Sequence, residues 1–176
     1  MGSSFIDLQD YGFWARDGLV EAMQLCIINE IELQKLDLLD WMNEFKNELA
    51  LQALPLIYGG MSMALEEFLT SDLRKNQLLQ LIDAIIEKID ATDTYITGEN
   101  LHKMRKRAMT ILSETGKMEF DNQTAFEAVV NESRWKESNR IWEVKDNYKH
   151  AFELLKQLIN GEMKSTASSP EYYWDI

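Results

Sequence analysis

The chain has 176 residues, 45% of them apolar, which excludes a disordered protein and suits one domain with a proper core. A single cysteine, Cys26, excludes an internal disulfide and a four-cysteine metal site, and a net charge of −12 argues against nucleic acid as a direct ligand. Two prolines and eight glycines favour helices over a many-turned β fold.

The N-terminus has neither a basic n-region nor an apolar h-region. The expectation is therefore no signal peptide. Tyr11 to Trp14 is expected to pack as an aromatic clamp ahead of a first helix from about Gly18 to Leu33, with Asp17 as its N-cap. This helix is apolar on almost every side, through Leu19, Val20, Ala22, Met23, Leu25, Cys26, Ile27, Ile28 and Ile31. Its polar strip is narrow: Glu21, Gln24 and Glu32. A helix of that kind is buried on several sides by other helices, so it is expected to be the central element.

A second helix is predicted from about Leu36 to Leu54, ending before Pro55. Leu38, Met42, Phe45, Leu49 and Ala53 follow the helical period and form its buried face. Leu49 to Leu65 carries no charge, but it is shorter than the roughly 20 residues of a spanning helix, and Pro55 and Gly59-Gly60 interrupt it. It reads as a helix end, a buried turn and the start of a third helix through Met63 to Leu69. Ser71 is placed to cap a fourth helix reaching about Ala91, with Leu78, Ile82, Ile85 and Ile89 in one stripe and Leu79 and Ile86 widening it.

A loop over Thr92 to Gly98 leads to a fifth helix from about Glu99 to Thr115, ended by a left-handed Gly116. Leu101, Met104, Ala108, Ile111 and Leu112 face inward. Asp121 caps the next helical stretch, which runs to Asn160 with a break near Asn131 to Ser133. Trp135, Trp142, Phe152, Leu155 and Ile159 keep its period, and Gly161 stops it. The strand-like runs, such as Thr94 to Thr97, are too short to build a sheet. The prediction is an all-α, single-domain compact bundle of about six or seven helices over residues 1–164, with a linker and aromatic-acidic tail over 165–176.

No catalytic constellation stands out. Glu99-x-x-His102 puts a carboxylate and an imidazole on one helix face, but a di-iron bundle needs a second copy, and His150 has Asn147 three residues before it. Glu66-Glu67 with Glu87-x-x-Asp90 partly resembles the acidic magnesium site of helical nucleotide pyrophosphohydrolases. The Glu-x-x-Glu of that site is incomplete, because Thr70 follows Glu67 and Met63 precedes Glu66 at the required spacing. Two histidines and no recognisable elbow leave no nucleophile–His–acid arrangement. Cys26, in the most apolar helix, reads as an inert buried thiol. The expectation is a protein that is not an enzyme and needs no metal or cofactor.

Charge placement is more informative. Up to Leu73, 13 acidic residues face three basic ones, Arg16, Lys35 and Lys46, whereas from Arg74 onward 15 basic residues face 17 acidic. Asp37, Asp40, Glu44 and Glu48 fall within about 80° of one another on a helix, with Trp41 at the edge of the stripe. Such a stripe is often no more than a solvated face. A neighbouring Trp and the scarcity of cations favour a binding face for a cationic partner, to which Glu66 and Glu67 add. Lys103, Arg105, Lys106 and Arg107 form the one basic cluster. It lacks interleaved aromatics and is expected to pair with neighbouring acidic helices.

The opening Tyr11-Gly12-Phe13-Trp14-x-x-Asp17, followed by an apolar helix carrying Glu21, resembles the start of small immunity proteins of bacterial polymorphic toxin systems, including contact-dependent growth inhibition. The similarity is concentrated in roughly the first third of the chain. It implies an all-helical cytoplasmic protein without catalysis. Such a protein binds a toxin domain, often a basic nuclease, delivered by a neighbouring cell. No interface residue carries over. The expected function is neutralisation of a cognate toxin through Asp37, Asp40, Trp41, Glu44, Glu48, Glu66 and Glu67, without direct contact to nucleic acid or membrane. The alternatives are a metal-dependent nucleotide pyrophosphohydrolase and a helical adaptor or scaffold.

Overall fold

The computed structural model describes residues 2–53, 60–117, 128 and 145–169. The fold is predominantly helical, as expected, but it opens with a β-hairpin. Strand β1 (Ser3–Leu8) pairs antiparallel with β2 (Tyr11–Arg16), in a register that sets Ser3 opposite Arg16 and Leu8 opposite Tyr11. The aromatic clamp expected at Tyr11 to Trp14 is thus a strand. Phe13 is buried, Trp14 packs against Phe5 with ring centroids 5.4 Å apart, and Tyr11 is exposed.

Gly12 is required by this pairing. A Cβ there would lie 2.1 Å from the Ile6 carbonyl oxygen. The Gly12 amide also donates to the Ser165 carbonyl at 2.8 Å, and the Trp14 indole donates to the Ala167 carbonyl at 3.4 Å. The first residues of the expected linker therefore lie along the hairpin edge, with Ser165 buried. Pro170 to Ile176 lie outside the described residues.

Helix α1 (Asp17–Leu33) is the central element. It packs against both strands, α2 (Asp40–Gln52), α4 (Asp72–Ala91), α5 (Gly98–Glu114) and α6 (Lys145–Ile159). Asp17 is its first residue and not its cap. Its carboxylate accepts from the Ser4 hydroxyl at 2.7 Å.

The second helix begins later than the sequence pattern indicates. Lys35 takes a left-handed conformation (φ 56°), Leu36–Leu38 form one 3₁₀ turn, and Leu39 is extended (ψ 122°) before α2 starts at Asp40. The break rotates the segment out of register with α2. Leu38, expected on the buried face, is consequently 82% exposed, whereas Met42, Phe45, Leu49 and Ala53 are buried. Leu54, Pro55 and Gly59 fall outside the described residues.

The short helix α3 (Leu65–Phe68) follows a left-handed Ala64, and its Phe68 ring meets Phe45 of α2 at 5.3 Å. Ser71 caps α4 by accepting from the Arg74 amide, and Leu78, Ile82, Ile85 and Ile89 form its buried stripe. Thr97 caps α5, and Gly116 (φ 66°) and Gly161 (φ 72°) take the left-handed conformation after α5 and α6. The expected inward residues of α5, and Phe152, Leu155 and Ile159 of α6, are all buried. Asp121, Trp135, Trp142 and the break near Asn131 to Ser133 lie outside the described residues.

Burial of α1 on several sides makes it sensitive to cavities. Replacing the fully buried Ile27 by Ala is expected to cost about 2–5 kcal/mol. Urea unfolding checks this; a loss within about 0.5 kcal/mol, as at surface sites, would place α1 at the periphery.

Candidate functional site

The four carboxylates read as one stripe occupy two elements. Asp37 belongs to the 3₁₀ turn, and Asp40, Glu44 and Glu48 belong to α2. Asp37 accepts from the buried Lys46 ammonium at 3.0 Å, and Glu32 of α1 stands 3.6 Å from the same ammonium. Glu48 is half-buried, accepting from the Gln52 amide at 3.0 Å and lying 3.8 Å from the Lys117 ammonium. Asp40 and Glu44 are exposed and form no ion pair among the described residues. Glu66 and Glu67 on α3 are exposed in the same way.

Trp41 is not an exposed anchor. It is 9% exposed, stacks against Phe45 at 6.2 Å, and donates from its indole nitrogen to Gln77 of α4 at 3.2 Å. The Arg74 guanidinium covers its ring at 5.3 Å from the centroid, and Arg74 also donates to the Phe68 carbonyl at 3.1 Å. The indole thus joins α2 to α4, and Arg74 ties that joint to α3. Amphipathic position on a helix cannot distinguish such a buried aromatic from a partner contact.

The apolar groups that do face solvent were missed by periodicity. Leu33 at the end of α1 is 61% exposed, Leu38 is 82% exposed and Leu39 is 38% exposed. They flank Lys35 and Asp37 in the sequence and immediately precede Asp40. A left-handed Lys35 leaves no strong sequence mark, so the exposure of Leu38 had no local signal. Leu73, at the start of α4, is also exposed.

Two members of the basic cluster, Arg105 and Arg107, pair with acidic residues of α1, as expected, whereas Lys103 pairs within α5 and Lys106 is exposed. Arg105 is buried and forms an ion pair with the buried Glu21 of α1; it also donates to the Ala53 carbonyl at 3.4 Å. Arg107 clasps Glu32 through two nitrogens, at 3.0 and 2.7 Å, which pushes its guanidinium pKa up. Lys103 holds Glu99 at 2.6 Å, and this hydrogen bond and charge lower the Glu99 carboxyl pKa. Asp90 pairs with Lys149 at 2.7 Å. Among the described residues, no three His, Cys, Asp or Glu side chains converge as metal ligands. Glu66, Glu67, Glu87 and Asp90 are thus not gathered into the site a pyrophosphohydrolase needs. Burial pushes the Cys26 thiol up to about 12, and the Glu30 charge adds to the rise, so the thiolate is suppressed at neutral pH.

Asp7 on β1 extends the acidic surface toward α3. Partial burial raises its pKa first and the Glu66 charge second, against a lowering hydrogen bond from its own backbone. A pKa raised by folding means that Asp7 favours the folded state while protonated, and that this contribution is lost as pH rises through the folded value. At neutral pH the ionised Asp7 opposes folding, through its partial desolvation first and the Glu66 charge second. Asp7→Asn is therefore expected to raise the thermal midpoint at pH 7. The gain should vanish below about pH 3.9, where unfolded Asp is itself protonated. An unchanged or lower midpoint at pH 7 would contradict a raised Asp7 pKa in the folded state.

No protein family, curated protein or solved structure matches this chain.

Proposed function

We propose that the chain is an immunity protein that binds a basic nuclease toxin domain one to one in the cytoplasm and blocks its substrate groove. The observation that carries this reading is the imbalance on α2 and α3. Asp40, Glu44, Glu66 and Glu67 face solvent without an ion pair among the described residues. Six cations of α4, α5 and α6 are paired elsewhere: Lys88 to Glu30, Arg105 to Glu21, Arg107 to Glu32, Lys145 to Asp93, Lys149 to Asp90 and Lys156 to Asp83.

A nuclease groove holds phosphates with a positive field, and exposed carboxylates answer that field. Opposed fields raise encounter rates, an advantage that falls with ionic strength. The resemblance of the opening Tyr11-Gly12-Phe13-Trp14-x-x-Asp17 to immunity proteins supports the same reading. The partner would be the C-terminal domain of a large secreted protein encoded by the adjacent upstream gene.

The test is co-purification with that domain, followed by Asp40→Lys combined with Glu44→Lys. The double variant is expected to bind about a hundredfold more weakly or worse and to lose protection of cells. Its folding should be little affected, because both side chains are exposed. A Lys in the first turn of α2 costs no more than about 1 kcal/mol through the helix dipole. Wild-type affinity in a folded double variant would show Asp40 and Glu44 to be a solvated face.

A further inference from the structure

The three exposed leucines lie in a segment that is held and not slack. The Leu39 amide donates to the Leu36 carbonyl at 3.0 Å and the Lys35 amide to the Glu32 carbonyl at 3.1 Å. Lys46 reaches Asp37 from beneath at 3.0 Å, and Leu36 packs against the core. The core around the turn is already filled by Met42 and Phe45. Leu33, Leu38 and Leu39 are therefore displayed by a pinned backbone and are not needed by the fold.

We propose that Leu33, Leu38 and Leu39 form the apolar anchor of a docking surface rimmed by Asp40 and Glu44, and that its occupant is a protein surface with an apolar depression ringed by lysine or arginine. The proposal rests on the immunity reading above and supplies the desolvated centre that Trp41 does not. Charge decides the occupant. Between residues 33 and 48 the only cations are Lys35 and Lys46, and Lys46 is buried against Asp37. A second copy docking through the same patch would bring two acidic rims together, with Lys35 the one exposed cation between residues 33 and 48 to offset them. A cationic surface meets no such penalty. Tight interfaces combine a water-excluding apolar centre with a charged rim, and the charges alone give encounter without residence.

The test uses the full chain with two probes, so that the patch and the toxin reading are separated. The first probe is a helical peptide of leucine and lysine only, with its leucines on one face, compared with oligolysine of equal charge. Amide resonance shifts from the leucine–lysine peptide are expected to cluster over residues 33–44. Leu33→Ser with Leu38→Ser should weaken that binding at least about tenfold and leave oligolysine binding unchanged. Both positions are exposed, so the variant folds as wild type does, which the unchanged remainder of the spectrum checks. The second probe is the C-terminal domain from the upstream gene, for which the same pair of substitutions is expected to raise the off-rate at least about tenfold. Shifts scattered elsewhere, or equal peptide binding by the serine variant, would overturn the patch. A concentration-dependent dimer in sedimentation that the serine variant abolishes would also overturn it, by making a second copy the occupant. Tight binding of the upstream domain that ignores the serine substitutions would overturn the patch while leaving the immunity reading intact. No binding of that domain by wild type, with the peptide still seated on residues 33–44, would overturn the immunity reading and leave the patch standing.

Discussion

The ion pair between Glu21 and Arg105 is the constraint on which most of this fold depends. Both groups are buried, one on α1 and the other on α5. It belongs to a series of polar ties along the central helix. Asp17 takes the Ser4 hydroxyl, whose oxygen in turn accepts from the Met61 amide at 2.9 Å. Gln24 donates to the Ser62 carbonyl at 2.8 Å, and Glu30 accepts from Lys88 of α4 at 2.6 Å. An almost wholly apolar helix attracts any apolar neighbour from any side. Buried polar groups are costly unless satisfied, so each of these ties selects one neighbour and one axial position. Removing one partner of a buried pair leaves an uncompensated charge at a cost of about 3–5 kcal/mol, enough to make that choice strict.

The same ties govern the surface. Every cation spent holding a helix is one that does not offset the exposed carboxylates of α2 and α3. Lys46 illustrates the point. It is one of three basic residues before Arg74, and it sits buried beneath the 3₁₀ turn, between Asp37 and Glu32. Its charge shapes the turn that displays Leu38 and does little for the field outside. Arg74, the next cation, is likewise occupied by the Trp41 ring and the Phe68 carbonyl. The packing scheme and the external acidity are consequences of one distribution of charge. They link the interior of α1 to the surface proposed for a basic partner.

Helix periodicity made most of the architecture legible. The stripes of α4 and α5, the cap at Ser71, and the stops at Gly116 and Gly161 follow from local chemistry that the sequence carries openly. The hairpin did not announce itself. Its two-residue turn is Gln9-Asp10, with Gln9 left-handed at φ 59°, where a glycine or asparagine would have marked it. Gly12 was visible as a residue, but the close approach to Ile6 that requires it arises only once the strands pair. Leu38 and Trp41 were misplaced for related reasons. The first depends on a helix break set by one left-handed lysine, and the second on cross-helix partners, Gln77 and Arg74, more than 30 residues away. Which carboxylates are spent internally and which remain exposed is a property of tertiary pairing, so a charge stripe read along one helix mixes the two.

The exposed acidic and apolar groups around the 3₁₀ turn, α2 and α3 form the proposed contact with a basic partner. The most direct measurement is hydrogen–deuterium exchange of the full chain, alone and mixed with the C-terminal domain encoded upstream. Added protection is expected over residues 33–48 and 65–69, with α6 unchanged. Protection confined to α6, or a complex that leaves residues 33–48 exchanging as in the free chain, would contradict it.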